Sequence, residues 1–426
     1  MTSRIHKNKM EKLFNALSIL LAFFPIMPYE MRSIVTAIWA FVGVLIIKKG
    51  NFGIKKYLIY LSPFAVIFAS IIYSDNIYYG FEEIVRMASI PVIGTIFFFN
   101  KHHLDQRLIK AIGTAFLIST SLLMIVATVS IISQHSELFS PPTELELKNM
   151  GISPTDQILV EKQAGIIKTR RLRNHIQSFT GSSTTYIALF IVYSIYISIE
   201  ILKKQTSLFF RALICFLILF FVLSLFLIGS RISMISVFCV CTLFILTKTS
   251  KAGIYNYLIL LVLVGSAFIF NSTAKHRFKE IFKSNMSLIN HKSEYNSINT
   301  RLGIYLCSGK IISKRFVFGV GIGDTKEKLQ GCYDEKLQSE VYKWNYYNTH
   351  NQYLHFFLAA GIIGFLSYLL SLSFQLFQAI RAKNQDQLFI VALIIIFSLT
   401  ENILLRNDGV LFYSIFTSIT FFNDEK

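Results

Sequence analysis

Long apolar runs separated by short polar connections dominate this chain. They lie at approximately 13–29, 32–47, 57–73, 84–99, 108–133, 184–202, 208–228, 232–247, 254–270, 351–373, 386–404 and 408–422. Crossing ~30 Å of hydrocarbon takes about 20 helical residues, and a backbone facing lipid must satisfy its own hydrogen bonds. The runs are continuous and do not alternate every second residue, so they predict helices and not the strands of an outer-membrane barrel. The expected fold is all-α, a polytopic membrane protein of about twelve transmembrane helices, with tilt accommodating runs of unequal length. Two polar stretches are too long to be simple connections, 134–183 and 271–350. The expected organisation is N-terminal transmembrane helices over 1–133, an extracytoplasmic loop over 134–183, middle transmembrane helices over 184–270, a large periplasmic loop over 271–350 between spans nine and ten, and C-terminal transmembrane helices over 351–426.

Composition agrees with this pattern: mean hydropathy is +0.53, and 15% charged residues are too few to cover a water-soluble protein of this size. The charge is also one-sided. Lys48, Lys49, Lys55 and Lys56, then Lys101, Arg107 and Lys110, then Lys203, Lys204 and Arg211, then Lys248 and Lys251, then Arg381 and Lys383 all fall on alternate connections. These share a side with the basic N-terminal tail, whereas Ser74 to Glu83 carries Asp75, Glu82 and Glu83. The positive-inside rule therefore predicts both termini in the cytoplasm and both long polar segments outside. The apolar run after Arg4, Lys7, Lys9 and Lys12 has no small-residue cleavage site and is expected to be a retained span. The net charge of +18 is accounted for by topology and by contact with anionic membrane lipids, and no basic domain stands apart to hold nucleic acid.

Three chemically able residues fall on the predicted outer face. Arg231 follows Gly229-Ser230 in the turn between spans seven and eight, Arg301 lies in the second long segment, and His350 lies where that segment enters span ten. Guanidinium groups fork onto phosphate oxygens, so two of them can hold a pyrophosphate and neutralise it as it departs. An imidazole with a pKa near ~6.5 can take a proton from a hydroxyl. Asn351 is placed to support the histidine. Blander readings exist for each: headgroup anchoring for Arg231, local pairing with Glu294 for Arg301, and a plain interfacial role for His350. Between them, Thr300 can cap a helix over Arg301 to Ser313, and Gly319, Gly321 and Gly323 are spaced for a turn or a close backbone approach. Lys275-His276-Arg277-Phe278-Lys279-Glu280-Ile281-Phe282-Lys283 predicts a basic helix at the interface, as a juxtamembrane anchor or a substrate contact. Of the five cysteines, Cys215, Cys239 and Cys241 fall in spans as packing residues; Cys307 and Cys332 fall in the second long segment, where an oxidising compartment would permit them to pair.

His350-Asn351-x-Tyr353-Leu354 followed by Gly361-x-x-Gly364 resembles the C-terminal signature of the O-antigen ligase and polymerase family of bacterial envelope enzymes. Asn299-Thr300-Arg301-Leu302, Phe318-Gly319-x-Gly321-x-Gly323 and Gly229-Ser230-Arg231 are similar to other stretches of that family, and the resemblance spans roughly residues 180–370. It departs at Ser183-Thr184-Thr185-Tyr186, where the family often has His-Pro-Thr-Tyr, and at Tyr305, where a tryptophan is common. The resemblance implies a GT-C-like inner-membrane glycosyltransferase acting at the periplasmic face, independent of metal and of any cofactor. It implies an undecaprenyl-pyrophosphate-linked glycan as donor, and lipid A-core (ligase) or a second lipid-linked glycan (polymerase) as acceptor. Arg231 and Arg301 would then hold the donor pyrophosphate and His350 would activate the acceptor hydroxyl.

Other classes fit less well. The glycines are not followed by the Gly-Lys-Ser/Thr of a phosphate-binding loop. His350 and His355 do not form a zinc pattern, and His355 is expected to be packed. A transporter or flippase of lipid-linked glycans would place ionisable groups near the bilayer midplane, whereas the predicted spans are nearly free of them, with Arg86 and Glu200 near their ends.

Overall fold

The computed structural model describes residues 2–47, 53–149, 153–228, 297–337, 341–344 and 346–423. Within these residues the regular structure is helical throughout. In chain order the helices are α1 (Thr2–Leu21), α2 (Tyr29–Leu45), α3 (Ile54–Ala69), α4 (Ile77–Met87), α5 (Ser89–Phe99), α6 (Gln106–Ser133), α7 (His135–Leu138), α8 (Glu144–Asn149), α9 (Gln157–Thr180), α10 (Thr184–Lys204), α11 (Leu208–Ile228), α12 (Ser297–Lys314), α13 (Thr325–Lys336), α14 (Val341–Trp344), α15 (Gln352–Arg381), α16 (Gln385–Ser398) and α17 (Asn407–Phe421). Among the described residues, five helices are long and apolar enough to cross a membrane: α3 with its 3₁₀ extension to Tyr73, α6, α10, α11 and α15. The chain is therefore a helical membrane protein. The expected spans 232–247 and 254–270, the basic helix 275–283, Cys239, Cys241 and Arg231 lie outside the described residues.

Several expected boundaries shift for local reasons. The run 84–99 is divided between α4 and α5 at Ala88. Asn76 caps α4 by accepting from Tyr79 N at 3.0 Å, so that helix begins well before the apolar run. Helix α12 already covers Ser297, so Thr300 lies inside it and not at its cap. The run 386–404 stops being helical at Ser398, and 399–406 forms a polar-bearing connection into α17. The segment 134–183 is largely helical: Asp156 caps α9 through Leu159 N at 3.1 Å, and Gly181 closes it in the left-handed conformation at φ +69°.

The described residues of 1–21, 30–112 and 283–426 form one compact unit, and those of 22–29 and 113–282 another. The first is packed by aromatics, with Phe14 stacked on Trp39 at 5.5 Å and Trp39 Nε1 donating to Ser18 Oγ at 2.8 Å. Buried polar side chains tie its helices together, as Tyr368 with Ser398 at 2.8 Å and Ser418 with Tyr60 at 3.1 Å. One ionic contact is more deeply buried than the sequence reading allowed. Arg32, near the start of α2, pairs with Asp408 at the start of α17 at 2.5 Å, with both side chains 1% exposed. The pair joins the starts of two helices.

The glycine signature has a direct structural cause. Helix α15 breaks at Ala360-Gly361, where Gly361 adopts φ +63° and ψ −156°. The chain leaving α12 lies against the break. Val320 N donates to Leu358 O at 2.8 Å, Gly321 N to Ala359 O at 2.9 Å, and Ile362 N to Phe316 O at 2.8 Å. The freed carbonyls of the broken helix are thus satisfied by the loop. A Cβ on Gly319 (φ +73°) would strike Leu358 O, and one on Gly361 would strike Val317 O. The two glycine stretches noted in the sequence are the two sides of one backbone-to-backbone contact.

The loop then runs into α13. Ile322 N and Gly323 N donate to Ser70 Oγ and Ser74 Oγ, each at 3.1 Å, and the Asp324 carboxylate accepts from Asp75 N and Asn76 N, each at 2.9 Å. Cys307 of α12 and Cys332 of α13 form a disulfide, with Cα atoms 5.7 Å apart. Around it Ile304, Leu329, Tyr333, Leu337, Tyr342 and Leu358 make a small buried cluster. Cys215, expected as a packing residue, is exposed.

Candidate functional site

The site begins with two non-helical connections that grip one another, 346–351 before α15 and 399–406 before α17. Asn402, 2% exposed, accepts at Oδ1 from Asn351 N (2.7 Å) and from the hydroxyl of fully buried Thr349 (2.9 Å). Gln352 Oε1 accepts from Leu404 N at 2.8 Å. Asn351 caps α15 by accepting from Leu354 N at 3.0 Å, and its amide donates to Leu399 O at 3.1 Å. The contacts of Asn351 thus fix the backbone on the C-terminal side of His350. With both neighbours pinned, His350 sits between them in the left-handed region at φ +43°, its own N–H donating to Asn348 Oδ1 at 3.0 Å. A non-glycine residue adopts that conformation where surrounding contacts impose it, and such positions concentrate at functional sites.

Arg301 and His350 come together, and what joins them is Glu401. Glu401 Oε2 lies 3.6 Å from His350 Nδ1, and Oε1 lies 3.5 Å from Arg301 Nη2. These are ion-pair separations, longer than hydrogen bonds. All three groups keep access to solvent, with side chains 28%, 17% and 35% exposed for His350, Glu401 and Arg301. Burial alone would push the Glu401 carboxyl up. The His350 imidazole and the guanidinium groups of Arg301 and Arg406 outweigh it and hold the carboxyl below its ordinary range. Tyr305, on the same helix as Arg301, has its phenol raised by burial, and Arg301, Glu401 and Asn351 all act on it. Glu294, the local partner considered for Arg301, lies outside the described residues.

Glu401 is the residue that sequence reasoning missed. It was absorbed into an apolar run, 386–404. A carboxylate followed by Asn402, Arg406 and Asp408 in an apolar environment was the available signal, because ionisable groups there are costly unless they are used. His355, expected to be packed, is 3% exposed in the first turns of α15.

This constellation is an imidazole, a guanidinium and a bridging carboxylate, half-open to solvent beside helices able to enter a membrane. Residues 216–369 match the family model for O-antigen ligase. That is the family whose signatures the sequence resembles. The matched stretch contains Arg231, Arg301 and His350, and it ends before Glu401. No curated protein matches the chain.

Proposed function

We propose that this chain is an O-antigen ligase-type glycosyltransferase. It transfers a glycan from undecaprenyl pyrophosphate to a sugar hydroxyl of lipid A-core at the periplasmic face of the bacterial inner membrane. The observation that carries this reading is the meeting of Arg301 and His350 on opposite oxygens of Glu401. Glu401 beside Nδ1 favours the tautomer that carries its proton there, which leaves Nε2 as the base. Nε2 takes the acceptor hydroxyl proton as the oxygen attacks the anomeric carbon. The bond from that carbon to the pyrophosphate oxygen breaks on the opposite face, giving inversion. Arg301, with Arg231, holds the pyrophosphate and stabilises the charge it gains. The imidazolium formed is stabilised by Glu401 until its proton passes to solvent. No divalent metal enters this scheme, so EDTA should leave the rate unchanged.

The test is reconstitution of purified protein in lipid with the lipid-linked donor and a lipid A-core acceptor. The wild-type chain should yield a larger glycolipid, and His350→Ala should yield none while remaining in the membrane. Absence of product with the wild-type protein would end this reading. In cells, loss of the gene should leave free lipid-linked chains accumulating, whereas a core capped by a single repeat would assign the polymerase alternative.

A further inference from the structure

Helix α12 carries Arg301 and Tyr305 into the site, so what fixes this helix also fixes them. Its C-terminal end is fixed by the glycine contact with α15. Toward its N-terminal end, Tyr342 donates to Thr300 O at 3.0 Å, and the small cluster around Ile304 and Leu329 covers one side. Leu306 on the same helix is 50% exposed. A core this small is the kind that depends on a covalent staple. The staple present is Cys307–Cys332, with Cys307 1% exposed inside that cluster.

We propose that oxidation of Cys307 and Cys332 is the maturation step that sets Arg301 in place. The oxidant is a disulfide-bearing protein thiol oxidase of the extracytoplasmic compartment. The two thiols give up two protons and two electrons, the oxidant's disulfide becomes a dithiol, and the new Sγ–Sγ bond clamps α12 onto α13. The cysteines act as positioning residues through Arg301, a role that rests on the proposed function. Among the described residues the helices long enough to span lie outside the clamped pair, so membrane insertion should not need the bond.

The experiment follows thiol state and donor kinetics together in wild-type protein and in C307S/C332S. In protein from cells with an oxidising envelope, both thiols should resist alkylation until a reductant is added. Reduction should raise the donor KM by roughly tenfold or more, the loss of about one charge-assisted contact, with the acceptor KM little changed. Reoxidation should restore it. C307S/C332S should match the reduced protein and ignore reductant. If that variant fails to accumulate, reduction of wild-type protein in isolated membranes provides the same measurement. Cys307 and Cys332 alkylated as free thiols in fully active protein, or a wild-type donor KM in C307S/C332S, would overturn the proposal. If oxidised wild-type protein transfers nothing, the proposed function falls and amide exchange over 297–314 judges the clamp. Faster exchange on reduction upholds it, and unchanged exchange overturns it.

Discussion

Two arginines, one from each long polar segment, show how the same side chain can be structural in one place and chemically available in another. Arg171 of α9 is saturated. It grips Glu146 bidentately, Nε to Oε1 at 2.7 Å and Nη2 to Oε2 at 2.5 Å, and it also donates to the Glu137, Ser140 and Pro141 carbonyls and the Ser140 hydroxyl. Among the described residues, Arg301 of α12 makes one looser ion pair at 3.5 Å and is twice as exposed, 35% against 16%. A guanidinium whose donors are all occupied fixes a loop. One held at ion-pair distance by a shared carboxylate keeps donors free to fork onto an incoming phosphate. Proximity to the bilayer or membership of a basic run does not separate the two; the number of contacts already made does.

The strongest way to break this contrast is at His350, the base proposed beside Arg301. Changing His350 to Ala should lower transfer by about 10²–10⁴-fold, read as lost product with protein still in the membrane. Glu401→Gln should lower kcat on the order of a hundredfold, because the imidazole loses the carboxylate that orders it and stabilises its cation. Arg301→Lys should raise the donor KM by roughly tenfold, since an ammonium does not reproduce the fork. Arg171→Lys should leave transfer within about twofold and lower the melting temperature by about 2 °C, the effect expected of a partly exposed ion pair. Equal losses from the two arginine variants would erase the distinction.

Acidification sharpens the same comparison. Both carboxyls are depressed, so each contributes stability above its unfolded value of about 4.3 and loses it as pH falls through its folded value. Hydrogen bonds from Arg171 lead in holding Glu146 down to about 2, so that contact should persist through most of the acid range. Burial works against Glu401, and its cationic neighbours depress it overall. Protection of the amides over 399–406, taken relative to their intrinsic exchange rates, should therefore fall below about pH 4.3 in the wild-type protein and be insensitive to pH there in Glu401→Gln.

Hydropathy alone determined that the chain is helical and membrane-embedded, because apolar length and the cost of unsatisfied backbone in lipid leave few alternatives. The glycine spacings of Gly319-x-Gly321 and Gly361-x-x-Gly364 were also legible as close-approach signals, since a missing side chain is visible in sequence. That these two stretches meet each other was not legible, for spacing does not encode which partner lies opposite; Cys307 and Cys332 were legible as two cysteines able to pair in an oxidising compartment, and the fold joins them. The clearest case is Glu401. Along the chain it ends an apolar run and resembles part of a span. Only when Asn402 and Gln352 lock 399–406 against 346–351 does its carboxylate come between an arginine and a histidine from other segments. Local composition dictates what a segment can become, and electrostatic partnership depends on distances of a few ångströms that only the folded chain supplies.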